Sequence, residues 1–145
     1  MQQSGNGSSH CDGFCTVQEA AQILHRSPQR VRAYIQETDP HAKYNLQKAT
    51  KARGRWKISR QEVETLLQER QKRKQTRRLE TKAQALTERV EHIKYVLRMF
   101  QLDDTMDRSL RGHILAALHE KLEITHKKLV NTRKQLYTLT GQSTT

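Results

Sequence analysis

Two cysteines, two prolines and 5% aromatic residues leave several classes of protein without their raw material. Cys11 and Cys15 cannot form a disulfide framework, and a bridge across so short a loop is disfavoured in a reducing compartment. His10, Cys11, Cys15 and His25 are residue types that bind zinc, but no second ligand pair follows. The thiols therefore read as reduced, and no metal is expected. No stretch approaches the roughly 20 apolar residues of a membrane span. The opening MQQSGNGSSH has neither the basic nor the apolar region of a secretion signal. A cytoplasmic protein without a membrane partner is the expectation, nucleoid- or plasmid-associated in a prokaryote. With 34% hydrophobic residues among 145, the chain has material for one small domain plus an extended or oligomeric element. A large enzyme core is out of reach. No catalytic triad, carboxylate pair or phosphate-binding glycine loop appears, so neither catalysis nor a cofactor is expected.

What the chain has in excess is positive charge. Its 27 Lys and Arg against 15 Asp and Glu give +12, and both halves are basic. A balance of that size points to a polyanionic partner.

Residues 1–13 are rich in Gly, Ser, Gln and Asn without periodicity, the composition of a disordered leader. The pattern then changes. Thr16-Val17-Gln18-Glu19 is a capping box opening a short helix with Ala20, Ala21, Ile23 and Leu24 on its packing side. His25-Arg26 makes a turn, and Ser27-Pro28 opens a second helix, serine as N-cap and proline at the first helical position. Val31, Tyr34 and Ile35 face inward, leaving Gln29, Arg30, Arg32 and Gln36 outside. Arg and Gln suit the edges of guanine and adenine in a major groove, and either can also take a phosphate; Arg26 and Ser27 at the turn are further candidates for DNA contact. Thr38-Asp39-Pro40 breaks the helix. Tyr44 to Thr50 and Arg55 to Ile58 then read as two strands around a turn at Lys51-Ala52-Arg53-Gly54. Lys48, Lys51, Arg53, Arg55 and Lys57 make this hairpin basic enough to lie along a phosphate backbone, with Trp56 as its core anchor. Ser59-Arg60-Gln61-Glu62 is a second capping box, and Val63, Leu66 and Leu67 close the unit.

Thr16-Val17-Gln18-Glu19-Ala20-Ala21, Ser27-Pro28-Gln29-Arg30-Val31 and Gly54-Arg55-Trp56-Lys57-Ile58-Ser59-Arg60-Gln61-Glu62-Val63, in that order, resemble the excisionase and mercury-resistance-regulator (MerR) superfamily of winged-helix DNA-binding domains. The resemblance covers residues 14–67. It implies that the helix from Pro28 to Gln36 enters the major groove and that a wing around Arg53 to Lys57 contacts the backbone. Where such domains commonly carry glycine in the helix turn, this chain has His25. Where they have a short link before the wing, it has the longer Thr38 to Asn45.

Beyond residue 67, Leu79, Ala83, Leu86, Val90, Ile93, Leu97 and Phe100 step by threes and fours as a heptad seam. After a polar break at residues 102–107, Leu115, Leu118, Leu122, Thr125, Leu129, Thr132, Leu136 and Leu139 continue the spacing. Two long amphipathic helices are expected over 68–140, with a disordered tail at 141–145. The seam can close within one chain as a helical hairpin, or between chains as a coiled-coil homodimer or higher oligomer. Oligomerisation through Leu86, Val90, Ile93, Leu97, Phe100, Leu115, Leu118, Leu122, Leu129 and Leu136 is the working expectation. A lone pin would leave Val96, Ile114 and Ile124 poorly covered. The basic run Arg70, Lys72, Arg73, Lys74, Arg77 and Arg78 suits phosphate contact beside the winged domain, with Arg73 as its representative.

The fold class is thus mainly α with a small β-hairpin wing, followed by a helical hairpin or coiled coil. The partner is double-stranded DNA. The function is that of a dimeric regulator, or of an accessory or architectural factor in recombination, transposition or plasmid maintenance. The alternative is a coiled-coil adaptor tethering a protein partner, such as a recombinase or replication protein, to DNA.

Overall fold

The computed structural model of the chain describes residues 13–39, 42 and 44–141. The order is β1 (Phe14–Cys15), α1 (Val17–Leu24), α2 (Pro28–Gln36), β2 (Thr50–Ala52), β3 (Arg55–Ser59), α3 (Arg60–Leu102) and α4 (Arg108–Thr140). Two compact units divide between Gln71 and Lys72, inside α3 and one turn beyond Leu67. Apart from Gly13 and Gly141, the leader and tail expected at the two ends lie outside the described residues, as do His10, Cys11 and Pro40.

In the first unit, local chemistry sets the helix ends. Thr16 Oγ1 accepts the Glu19 N–H at 3.2 Å and the Glu19 carboxylate accepts the Thr16 N–H at 2.7 Å, a reciprocal capping box. The bond from the Thr16 backbone, then that from its hydroxyl, holds the Glu19 carboxyl below its ordinary pKa. His25 ends α1 in the left-handed region, φ 50° and ψ 50°, and the next amide, Arg26 N–H, donates to Ala21 O at 2.9 Å. A histidine therefore takes the backbone conformation that glycine usually provides. Ser27 Oγ accepts the Arg30 N–H at 3.3 Å and opens α2, with Pro28 in its first turn.

The sheet has three strands in the order β1-β3-β2, all antiparallel. The two-residue β1 pairs Phe14 with Ser59 and Cys15 with Ile58. It is too short to carry a periodic signal. The strand expected over Tyr44 to Thr50 is mostly irregular; only Thr50 belongs to β2. The reason lies at Leu46, which is 1% exposed and whose N–H donates to Tyr34 O at 3.1 Å, at the end of α2, and not to a neighbouring strand. The rings of Tyr34 and Tyr44 stack beside it with centroids 5.3 Å apart. Ala20, Val31, Ile58 and Val63 are fully buried, and Leu24 and Leu46 join them in one core.

The second capping box is only half formed. Ser59 Oγ accepts the Glu62 N–H at 3.4 Å, but the Glu62 carboxylate accepts the Lys48 N–H at 3.3 and 3.4 Å and does not return to Ser59. Ser59 is the last residue of β3, so strand and helix join without a loop, and the acid is free to hold the irregular segment.

The second unit is a helical hairpin. Val90, Ile93 and Leu97 on α3 and Thr125, Leu129, Thr132 and Leu136 on α4 are buried. Lys94 of α3 lines one recess with His119, Leu122 and His126 of α4, which sets the helices side by side. Thr125 and Thr132 satisfy their hydroxyls on Lys121 O and Lys128 O, at 2.7 and 2.9 Å, and so tolerate the dry seam. In the connection, Asp103 accepts the Thr105 N–H at 2.9 Å and Asp107 caps α4 through the Leu110 N–H at 3.0 Å. The Thr105 hydroxyl and then its amide hold the Asp103 carboxyl below the usual carboxylate range.

Two stability outcomes follow from the first unit. Leu46→Ala is expected to cost about 2–4 kcal/mol in denaturant unfolding, as for a fully buried leucine in a regular element. His25→Gly is expected to raise stability by about 1 kcal/mol by relieving the left-handed backbone.

Candidate nucleic-acid interface

The exposed polar residues of α2 do not share one face. The helix packs Val31, Tyr34 and Ile35 inward. At about 100° per residue, Gln29, Ala33 and Gln36 fall on the opposite side with Arg32 at its edge, all exposed. Arg30 falls on the flank. There it lines an open recess with Gln18, Gln22, Arg26, Ser27 and Pro28, around the turn between α1 and α2. The arrangement offers two surfaces: an outward ridge with Arg flanked by Gln, and a basic notch at the start of α2. The notch adds Gln18 and Gln22, which the sequence reading did not single out. Their spacing of four on the side of α1 away from Ala20, Ala21 and Leu24 was the available signal.

The β2–β3 hairpin likewise divides its charges. Arg53 and Gly54 form a two-residue turn with φ of 50° and 76°, both positive, as a tight hairpin turn of type I′ requires. Facing pairs are Thr50 with Lys57, Lys51 with Trp56 and Ala52 with Arg55. Side chains alternate along a strand, so Lys51 shares the face of Trp56 and Ile58, and Arg55 and Lys57 take the other. Lys51 Nζ lies 5.9 Å from the Trp56 ring centroid, a cation–π contact. Trp56 packs against the core as expected of an anchor. Arg53, Arg55 and Lys57 are exposed, the first at the tip. Lys48 is exposed in the turn before β2, and its amide is held by Glu62.

The basic run at the start of the second helical region is also divided. Arg70 is not a surface cation: its Nη1 donates to Leu24 O at 2.7 Å and so satisfies a carbonyl at the end of α1. Arg73 is half-buried and belongs to the second unit, with exposed Lys72, Lys74, Arg77 and Arg78 around it.

The ten residues read as an oligomerisation seam line the interior of the single-chain hairpin. Val90, Ile93, Leu97, Leu129 and Leu136 are buried, and Leu86, Phe100, Leu115, Leu118 and Leu122 partly so. Tyr95, Met99 and Leu102, spaced by four and three on α3, stand exposed on the side away from that seam.

Cys15 is a buried free thiol, and burial pushes its pKa up, so it stays protonated. No group of three His, Cys, Asp or Glu placed to hold a metal ion occurs among the described residues. Nor is any helix among them long and apolar enough to cross a membrane.

Comparison with curated proteins and with solved structures gave no match. Residues 14–71, which take in the whole three-stranded sheet, α1, α2 and the first turns of α3, match the helix-turn-helix domain family.

Proposed function

We propose that this chain is a DNA-binding protein that is not an enzyme, acting as a regulator or as an accessory factor in recombination, transposition or plasmid maintenance. The observation that carries the proposal is the exposed ridge Gln29, Arg32 and Gln36 on the second helix of a helix-turn-helix domain, in a chain of charge +12. That helix enters the major groove, where the ridge meets base edges. Arg26, Ser27 and Arg30 at its start take phosphate, and the β2–β3 hairpin lies along the backbone as a wing through Arg53, Arg55 and Lys57. Lys51 and Lys48 supply charge at longer range. Two copies act together on paired half-sites. With the heptad seam closed inside each chain, the copies meet through the outer side of the hairpin, where Tyr95, Met99 and Leu102 are exposed. The same apolar stripe favours a second reading, an adaptor that holds another protein on DNA.

Selection of bound duplexes from a random pool, followed by footprinting, tests the reading. Enrichment of two inverted half-sites is the expected result. Absence of any enrichment would reduce the domain to a nonspecific anchor, and tandem sites would replace the dimer by a filament.

Side-chain substitutions divide the surface further. Arg32→Ala should lower discrimination between the selected site and a single-base mismatch by about 1–3 kcal/mol. Arg30→Ala and Arg55→Ala should weaken both duplexes alike and flatten the salt dependence by about 1 each. Equal, sequence-independent losses in all three would refute the division. Arg53→Asn separates fold from function. Asparagine accepts a positive φ more readily, so melting temperature should rise while DNA affinity falls; a rise in both would show that Arg53 has no part in binding.

A further inference from the structure

The charge of the helical hairpin is segregated along its length. In the stretch 72–82 of α3 there are six Lys or Arg and a single acid, Glu80. In 127–140 of α4 there are four, with no acid at all. Between them, residues 83–126 hold six basic and seven acidic residues. The two basic stretches lie at the same end of the hairpin. Lys94 lines a recess with residues 119–127, so, stepping back along α3, residue 89 is about level with Lys128, residues 83 and 84 with Lys134 and Arg133, and residue 77 with the end of α4.

The middle and the tip of the hairpin balance their charges in number, although Arg89, Arg98, Arg108 and Lys121 form no ion pair among the described residues. Lys94 pairs with Glu91 at 3.0 Å, Gln84 bonds Glu88 at 2.8 Å, and Arg111 reaches Asp104 at 3.6 Å. At the basic end Lys127 pairs with Glu123 at 2.8 Å. Lys128, Arg133 and Lys134 are exposed and form no ion pair among the described residues, and the same holds for Lys74, Arg77 and Arg78. Arg73 with Arg77, Lys74 with Arg78, and Arg78 with Lys82 are like-charge pairs four residues apart, each of which opposes the helix that carries it. A solvated surface has no need of that repulsion. An anionic partner removes it.

We propose that this end of the hairpin is a second binding surface for the sugar–phosphate backbone of duplex DNA, with Lys128, Arg133 and Lys134 of α4 joining Lys74, Arg77 and Arg78 of α3. It rests on the DNA-binding reading and extends it from the helix-turn-helix domain to a surface on the second unit. The charges surround both helices without a ridge of Gln, Asn or Arg aimed one way. Contact is therefore with phosphate and independent of sequence. Its contribution is affinity and salt dependence, and discrimination remains with α2.

The test uses the full chain and a duplex carrying the selected site. Lys128→Gln, Arg133→Gln and Lys134→Gln are combined in one variant, and Arg98→Gln, Arg108→Gln and Lys121→Gln in a control. Affinity is measured across a salt series for wild type and both variants, with circular dichroism melting beside it. The α4 variant should keep its helicity and melt no lower than wild type, because the three side chains are exposed and form no ion pair among the described residues. Its slope of log affinity against log salt should be shallower by about 2–3, with site discrimination unchanged, while the control keeps the wild-type slope. A wild-type slope in the α4 variant, or an equal change in the control, overturns the second surface and leaves the DNA-binding reading standing. Wild type that shows no salt-dependent duplex binding overturns both.

Discussion

Ile58 is the residue on which the first unit turns. It is fully buried in β3, the middle strand of the sheet. Through Cys15 opposite it, β3 fixes the start of the chain that leads into α1; one residue further, Ser59 becomes the N-terminal support of α3. Arg60 N–H closes the same junction on Gly13 O at 2.8 Å. The hairpin on the other edge inherits its register from the same strand. A shift of one residue would turn Ile58 and Trp56 outward and bring Lys57 into the core. Both charged surfaces of the unit, on α2 and on the hairpin, are therefore referred to one buried side chain and its strand.

That dependence explains where the sequence was legible. The starts of α1 and α2 were readable because each is set within four residues, by Thr16 with Glu19 and by Ser27 with Pro28. The heptad steps of the hairpin were readable because they repeat. What was hidden depends on partners distant in the chain. Two residues of β1 acquire meaning only beside β3. Leu46 looked like one position of an alternating strand, yet its amide is held by the end of α2 and its side chain by the core. Glu62 looked like the second half of a capping box, but an irregular amide fourteen residues earlier competes for its carboxylate. Arg70 looked like one of a run of surface cations, and the carbonyl it satisfies lies in a helix 46 residues earlier.

Among the candidate contact residues, identity was legible and grouping was not. Gln29, Arg30, Arg32 and Gln36 all read as outward, and all are exposed. Helical geometry divides them between a ridge and a notch. Lys51 and Lys57 both read as wing cations. Strand alternation places the first over an aromatic ring on the core side and leaves the second free to meet a ligand. In both cases residue type sets the chemistry on offer, and the period of the element decides which groups act together.

The seam of the second unit bears on how charge and copy number are related. Val90, Ile93, Leu97, Leu129 and Leu136 are buried within the single chain, whereas Leu86, Phe100, Leu115, Leu118 and Leu122 keep part of their surface exposed. Outside the seam, the exposed large apolar residues are Tyr95, Met99 and Leu102 in the last turns of α3 and Leu110, Ile124, Val130 and Tyr137 on α4, and only Tyr95, Met99, Leu102 and Leu110 gather toward the tip. The other end of the hairpin carries ten cations against one acid on its two stretches, and two such ends brought together in low salt would repel. Association through the tip keeps them apart, and a bound polyanion neutralises them. Pairing of copies through the tip and phosphate binding at the basic end are then largely independent, since the paired ends stand several screening lengths apart.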